Sequence, residues 1–299
     1  RSGCAAAPPG RLMHGAAGAG APAGLARPGR GARGALPDAV HAEWTKLRTL
    51  AGTWWLLAAA VAVTIAAGVA VAGTAAVPPG PSGGGPAGAA DPARLSLAGV
   101  TLGQAIVALL AVLAVGGEYS TGMIRVTLAA TPRRLTMLTA KAVVVTGGAA
   151  AAGAVAVLGS VLAGRLILPG RGLSAANGYA VMSLGNGPDL RAAAGSVLYL
   201  ALIALLALGV TTAVRDSAVA AGLVLGLLYL FPIAGAVVPD HTVARHLEQA
   251  APMTAGLWIQ ATAGLRSLPL TPWQGLGVLA LWTLGALILG AAVLRLRDA

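Results

Sequence analysis

The sequence predicts an all-α, polytopic membrane protein with six transmembrane helices, and three observations support this fold class. Hydrophobic residues make up 57% of the 299 residues and charged residues only 10%, far below the roughly 25% charged residues of soluble domains. Long uncharged runs recur along the chain, as expected of membrane-spanning helices. The net charge of +11 is spread between these runs and over the N-terminal stretch, which favours contact with anionic lipid headgroups over nucleic-acid binding.

The first element is a polar N-terminal tail. Residues 1–37 are mostly Ala, Gly, Pro and Arg, and such a segment buries too little apolar surface to offset the entropy of ordering it. We therefore predict a disordered tail over 1–37, followed by one transmembrane domain over 38–299.

A short amphipathic helix is predicted next, over Pro37–Leu50. Val40, Trp44, Leu47 and Leu50 share one face at helical spacing, and an apolar face with Trp and basic flanks is typical of a helix lying in the membrane interface. The alternative is the solvated start of a helix. The residues expected to anchor the interfacial helix are Trp44, Lys46 and Arg48.

Six uncharged runs are predicted to span the membrane, at approximately 53–77, 95–116, 142–164, 192–214, 217–238 and 273–294. The fifth run carries Gly222 and Gly226 at the spacing that lets helices approach closely. Between the fifth and sixth runs, the apolar patch Ala250–Leu265 is too short to span, so we expect a re-entrant or interfacial helix there.

The third span is predicted to extend beyond the bilayer. Thr131 and Pro132 are a capping residue and a proline at the first helical position, which together indicate a helix start. A helix from Pro132 to Gly164 is about 50 Å long, and the hydrocarbon layer is only about 30 Å thick. Its first two turns are therefore expected to project into the cytoplasm.

The distribution of basic residues predicts that both termini lie inside. With this orientation the inner segments hold 14 of the 20 Lys and Arg residues, as the positive-inside rule requires.

Catalysis by this chain is not expected. Its two lysines, Lys46 and Lys141, are followed by Leu47 and Ala142, whereas a phosphate-binding loop needs Gly-Lys-Ser/Thr. A HExxH motif is absent, and no Asp or Glu falls inside a predicted span, where an intramembrane protease or a proton-coupled transporter would need one. We therefore predict no catalytic residue, no metal and no cofactor.

The central segment Gly117–Lys141, GEYSTGMIRVTLAATPRRLTMLTAK, carries the most informative pattern. One interpretation is a solvated inner loop that obeys the positive-inside rule. However, the segment mixes Tyr119, Ile124 and Leu128 with its charges, and an apolar face of this kind is typical of a docking surface.

This segment, together with HAEWTKLRTLAGTWW before the first span, resembles permease subunits of ATP-binding-cassette (ABC) transporters of the type 2 exporter-like class, as found in GC-rich bacteria. The resemblance covers roughly Ala39–Arg297, and the N-terminal tail departs from it. It implies six spans, an interfacial helix before the first, and a cytoplasmic coupling helix between the second and third. The short re-entrant helices of the family would map to Ala250–Leu265.

The resemblance also implies partners: a separately encoded cytoplasmic ATPase that hydrolyses ATP, and a second permease in a homo- or heterodimer. The residues expected to dock on the ATPase are Glu118, Tyr119, Ile124, Arg125, Leu128, Arg133 and Arg134. The expected function is ATP-driven export of a hydrophobic or amphiphilic compound across the bacterial plasma membrane. The alternatives are a non-transporting scaffold or sensor that recruits a cytoplasmic partner, and a membrane-embedded lipid enzyme.

Overall fold

The computed structural model describes residues 35–49, 51–75, 91–120, 134–177, 179 and 182–296. Helices make up 88% of these residues and none is in a strand, which confirms the all-α class. Six of the described helical segments are long and apolar enough to cross a membrane. The chain is therefore a multi-pass membrane protein. The predicted tail falls outside the described residues, except that residues 35–37 already belong to the first helix.

Ten α-helices follow one another along the described chain. They are α1 (Ala35–Thr49), α2 (Ala51–Thr74), α3 (Pro92–Leu97), α4 (Val100–Ser120), α5 (Arg134–Ile167), α6 (Gly187–Val214), α7 (Ser217–Val237), α8 (His241–Ala250), α9 (Pro252–Leu257) and α10 (Pro272–Leu296). Short 3₁₀ turns lie at Leu168–Arg171, Ala175–Asn177, Trp258–Gln260 and Leu265–Ser267.

The observed spans match the predicted runs, and two of them have a notable construction. The second span is built from α3 and α4, which are separated only by Ala98 and Gly99. The third span, α5, is one uninterrupted helix of 34 residues. This continuity confirms the prediction of a single helix that runs from the central segment through the third span.

The centre of the bundle is formed by the second and fourth spans. In each of them 56% of the most apolar stretch is buried, against 17% for α7 and 22% each for α2 and α10. Outward-facing apolar side chains on the peripheral helices are expected where lipid tails replace water.

Helices α6 and α10 approach each other closely at two glycines. A Cβ placed at Gly209 would come within 2.7 Å of the backbone of Ala286, and one at Gly290 within 2.7 Å of the Gly209 carbonyl oxygen, so only glycine allows this approach. By contrast, no described atom lies within 4 Å of a Cβ at Gly222 or Gly226. Neither of these two glycines packs against another described helix of the chain, and close helix packing there stays a prediction.

The turn between α6 and α7 is as tight as the sequence indicated. Arg215 ends α6 in the left-handed conformation with φ 64°, and its Nη2 donates to the carbonyl oxygen of Val293 at 3.1 Å. Asp216 caps α7 by accepting from the backbone N–H of Val219 at 2.8 Å.

The apolar patch before the last span is buried inside the bundle. Ala251–Ala261 forms α9 and a 3₁₀ turn, and most of its residues are buried, with Ile259 filling the space above Gly195 of α6. At its end, the Asp91 carboxylate accepts from the backbone N–H of Thr262 at 2.5 Å, from its hydroxyl at 2.7 Å and from the N–H of Ala263 at 2.9 Å. The segment is thereby held against the start of the second span.

Candidate functional site

Helix α1 presents a charged residue to the bundle. Ala39 and Glu43 are buried on its inner face and Leu47 packs against the core, whereas Trp44 is 47% exposed. Trp44 and Leu47 both line the groove between α1 and α5, as expected of residues three apart on a helix, and the placement of α1 in the membrane interface stays a prediction. Because lipid is as apolar as a protein interior, an exposed tryptophan costs little, while the Glu43 carboxylate needs a partner.

Four charged side chains meet at this end of the bundle, and we call them the four-charge cluster: Glu43 and Lys46 of α1, Glu118 of α4 and Lys141 of α5. The ammonium of Lys141 lies 2.8 Å from Glu43 Oε2 and 2.9 Å from Glu118 Oε1. The ammonium of Lys46 lies 2.8 Å from Glu43 Oε1 and 3.0 Å from the same Glu118 oxygen. Each lysine therefore bridges both carboxylates, and the charges sum to zero.

The two lysines differ in burial although they share their partners. The side chain of Lys141 is 4% exposed and that of Lys46 is 35% exposed. Lys141 also donates to the carbonyl oxygen of Ala114 at 3.4 Å, whereas the second oxygen of Glu118 is buried with no hydrogen-bond partner among the residues described. Buried charges are tolerated only when they are paired, so Lys141 depends on the cluster more than Lys46 does.

The electrostatics of α1 agree with this geometry. Burial by itself would raise the pKa of Glu43, but the charge of Lys141 and the hydrogen bonds from both lysines outweigh it, so that the pKa is lowered. Burial would lower the pKa of Lys46, but the hydrogen bonds and charges of Glu43 and Glu118 raise it. Glu43 and Lys46 are thus held in their charged forms near neutral pH.

The structure describes only part of the predicted docking surface. Glu118 is buried at 9% exposure and its Oε1 is taken up by the cluster, so this carboxylate is directed inward and not onto an exposed surface. Tyr119 is half-buried and packs against the core. Arg134 is the first residue of α5, and its side chain is not described. The remaining predicted docking residues, Ile124, Arg125, Leu128 and Arg133, lie outside the described residues.

The sequence predicts Lys46 in the interfacial helix and Glu118 on the docking surface, and it does not indicate that the two side chains meet. It assigns no role to Glu43. A signal for the cluster was present. The chain has only two lysines, and Lys141 lies within a long apolar helix, where an ionisable side chain is expected to have a partner. The expectation that no carboxylate lies within a span is also corrected, since Glu118 lies near the end of the second span and is buried.

A second polar group lies deeper in the bundle. The hydroxyl of Tyr199 donates to Gln104 Oε1, and both side chains are fully buried. The hydroxyl of Tyr229 donates to the carbonyl oxygen of Thr101 at 2.5 Å. These bonds join α4 to α6 and α7, so the central helices are held together by polar contacts at more than one depth.

No protein-family model matches the chain, and no curated protein matches it significantly. The geometry of α1, α4 and α5 is therefore the main physical basis for assigning a function.

Proposed function

We propose that this chain is the membrane-spanning permease subunit of an ATP-driven transporter, of the type 2 exporter-like ABC class, in the bacterial plasma membrane. Both termini would face the cytoplasm, α1 would lie at the inner interface, and residues 122–128 would form the coupling helix. A separate ATPase would dock there, and a second permease subunit would complete the pathway.

The observation that carries this proposal is the length and continuity of α5. Its 34 residues extend about 51 Å, whereas the hydrocarbon layer is about 30 Å thick. The helix begins shortly after the proposed coupling segment and ends at the opposite side of the bundle. A displacement of that segment by the ATPase would therefore be transmitted by the continuous helix α5 across the whole membrane.

The four-charge cluster supports the same mechanism, because it joins the elements on both sides of the coupling segment. Glu118 lies two residues before the end of α4, and Lys141 lies two turns into α5. Their ion pair, with the bridge to α1, would make α1, α4 and α5 move together when the ATPase closes. A useful switch needs a free-energy difference of several kcal/mol between its two conformations. Helices that moved independently would transmit only part of it.

The apolar character of the bundle supports a hydrophobic or amphiphilic substrate. A cavity of about 770 Å³ lies between α6, α7 and α10. Its lining is almost wholly apolar and includes Leu206, Leu223, Leu227, Leu281, Trp282 and Leu289. Substrates that enter such a cavity gain from dispersion and from burial of apolar surface.

The experiment that tests the proposal is co-purification with an ATPase encoded beside this chain. Arg125→Glu reverses a charge in the proposed coupling segment and should abolish co-purification while membrane insertion is unchanged. Arg94→Glu is the matched control, because it makes the same charge reversal at an exposed arginine of α3, at the other end of the second span. Equal binding by wild type and Arg125→Glu would reject the docking assignment.

Reconstitution separates transport from the scaffold or sensor alternative. In proteoliposomes, the permease should stimulate ATP hydrolysis by the partner, and a panel of hydrophobic compounds should change that rate. A scaffold would bind the partner without any compound-dependent hydrolysis. Hydrolysis of ATP by the purified chain alone would contradict both assignments.

A further inference from the structure

A groove beside the four-charge cluster has the shape and polarity of a lipid site. It encloses about 370 Å³ between α1, α2, α4 and α5, and its surface is almost wholly apolar. The residues that define it are Trp44, Arg48, Trp54, Leu57, Gly148 and Val155.

The floor of the groove is made by small residues of α5. Gly148, Ala151 and Ala152 line it in the middle of the helix, and a Cβ at Gly148 would meet no described atom within 4 Å. Larger side chains at these positions would fill the groove. The neighbouring Gly147 is equally open but does not line the groove, so it provides a matched control.

The length of the groove corresponds to one leaflet of a bilayer. Along α5 it extends from Val145 to Val155, which is about 15 Å at 1.5 Å per residue. One leaflet is half of the roughly 30 Å hydrocarbon layer. An acyl chain that enters at α1 would therefore reach the middle of the membrane at Val155.

The mouth of the groove is basic and aromatic. Arg48 is exposed, and no ion pair or hydrogen bond of its guanidinium is found within the part of the chain that the structure describes. The indole N–H of Trp54 donates to the Arg48 carbonyl oxygen at 3.1 Å and so fixes the tryptophan beside the arginine. Lys46, by contrast, is already engaged by two carboxylates. Arg48 is thus the cation at the mouth that can receive an external anion.

We propose that this groove binds an anionic phospholipid, with one acyl chain lying along Gly148 and the phosphate at the Arg48 guanidinium. The basic mouth is complementary to a negative headgroup, tryptophan is suited to the boundary between headgroup and acyl chain, and the apolar floor accepts the chain. The lipid would fill the space between α1 and α5 directly beside the cluster that joins them. The inference does not require the transporter assignment.

Native mass spectrometry of the purified full-length chain tests it, after equilibration in equimolar phosphatidylglycerol and phosphatidylcholine. We expect the wild type to retain phosphatidylglycerol preferentially. Arg48→Gln should lower the retained ratio of phosphatidylglycerol to phosphatidylcholine about fivefold, which corresponds to the loss of one basic residue near a headgroup. Arg165→Gln, at an exposed arginine near the other end of α5, should leave the ratio unchanged.

The acyl-chain half of the proposal is tested by filling the groove. Gly148→Leu should reduce retention of both lipids, whereas Gly147→Leu should match the wild type, and size-exclusion elution should show that both variants remain folded. An unchanged lipid ratio in Arg48→Gln would overturn the proposal. So would equal retention in the two glycine variants, or a loss of dimer in Gly148→Leu without loss of lipid, which would identify a second copy of the chain as the occupant.

Discussion

Removal of the buried lysine of the four-charge cluster should destabilise the protein far more than removal of the exposed one. Lys141 and Lys46 contact the same two carboxylates at similar distances, between 2.8 and 3.0 Å, but their side chains are 4% and 35% exposed. The substitutions Lys141→Met and Lys46→Met delete the same charge and keep a similar side-chain volume. The pair therefore isolates the effect of burial.

The magnitude follows from what each substitution leaves behind. Without Lys141, the two carboxylates share only the partly exposed Lys46, and one excess negative charge stays in the buried part of the cluster, at a cost of about 3–5 kcal/mol. Without Lys46, Lys141 still bridges both carboxylates, and loss of a partly exposed pair costs about 1 kcal/mol or less. At about 2–4 °C per kcal/mol for a chain of this size, we expect a decrease in Tm of about 10 °C for Lys141→Met and about 3 °C for Lys46→Met.

Thermal unfolding in one mild detergent, followed by tryptophan fluorescence and by loss of the monodisperse size-exclusion peak, measures both values. The double variant Glu43→Gln/Lys141→Met should recover part of the loss, because it removes one of the unpaired charges. Equal unfolding temperatures for Lys141→Met and Lys46→Met would refute the reasoning, since burial would then have no effect on the energy of the cluster.

Three further predictions concern pH, the hydrogen bonds of Asp91 and helix packing. The pKa of Glu43 is lowered in the folded state, so its contribution to stability is present above the unfolded-state pKa and is lost as the pH falls through the folded-state pKa. The pKa of Lys46 is raised, so its contribution is lost as the pH rises through the folded-state pKa. The unfolding temperature should thus be flat from about pH 5 to about pH 10, and a decline beginning near pH 7 would contradict this. Asp91→Ala should cost about 3 kcal/mol in detergent unfolding, because it removes a helix cap and three further hydrogen bonds. A wild-type Tm would show that the contacts of Asp91 are dispensable. Gly209→Leu should lower the Tm or prevent folding, because the new Cβ would clash with backbone atoms of α10. Gly222→Leu should leave the Tm unchanged, and an equal effect of the two substitutions would contradict the close packing of α6 on α10.

Much of the fold could be predicted because lipid imposes a simple constraint on composition. A run of about 20 uncharged residues is needed to cross the hydrocarbon layer, and each of the six predicted runs corresponds to an observed segment. The continuity of α5 was also predictable, because Pro132 indicates a start and no proline follows before Pro169. The burial of the patch around Ile259 was not predictable, since its length excluded a span but did not indicate the neighbours against which it packs.

The candidate site was harder to predict because its pairs are distant in sequence. Glu43 and Lys141 are 98 residues apart, and composition alone does not indicate which helices are neighbours. In soluble proteins, apolar side chains turn inward and so indicate the packed face of a helix. At a membrane this rule does not distinguish the faces of α1, since Trp44 can contact lipid while the Glu43 carboxylate requires a cation.

The ionic character of the cluster explains how α1 is held in one position. Between helices in lipid, apolar contacts discriminate poorly, because a leucine gains about as much from an acyl chain as from another leucine. Acyl chains do not stabilise a carboxylate or an ammonium in this way. Only the arrangement that brings Glu43 to Lys141 gives both charged groups an ion-pair partner. Replacement of all four charges by apolar residues of similar size should therefore keep insertion and stability close to normal but leave α1 without a unique partner. The same replacement should also weaken retention of phosphatidylglycerol in the adjoining groove, because Arg48 would no longer be fixed above α5.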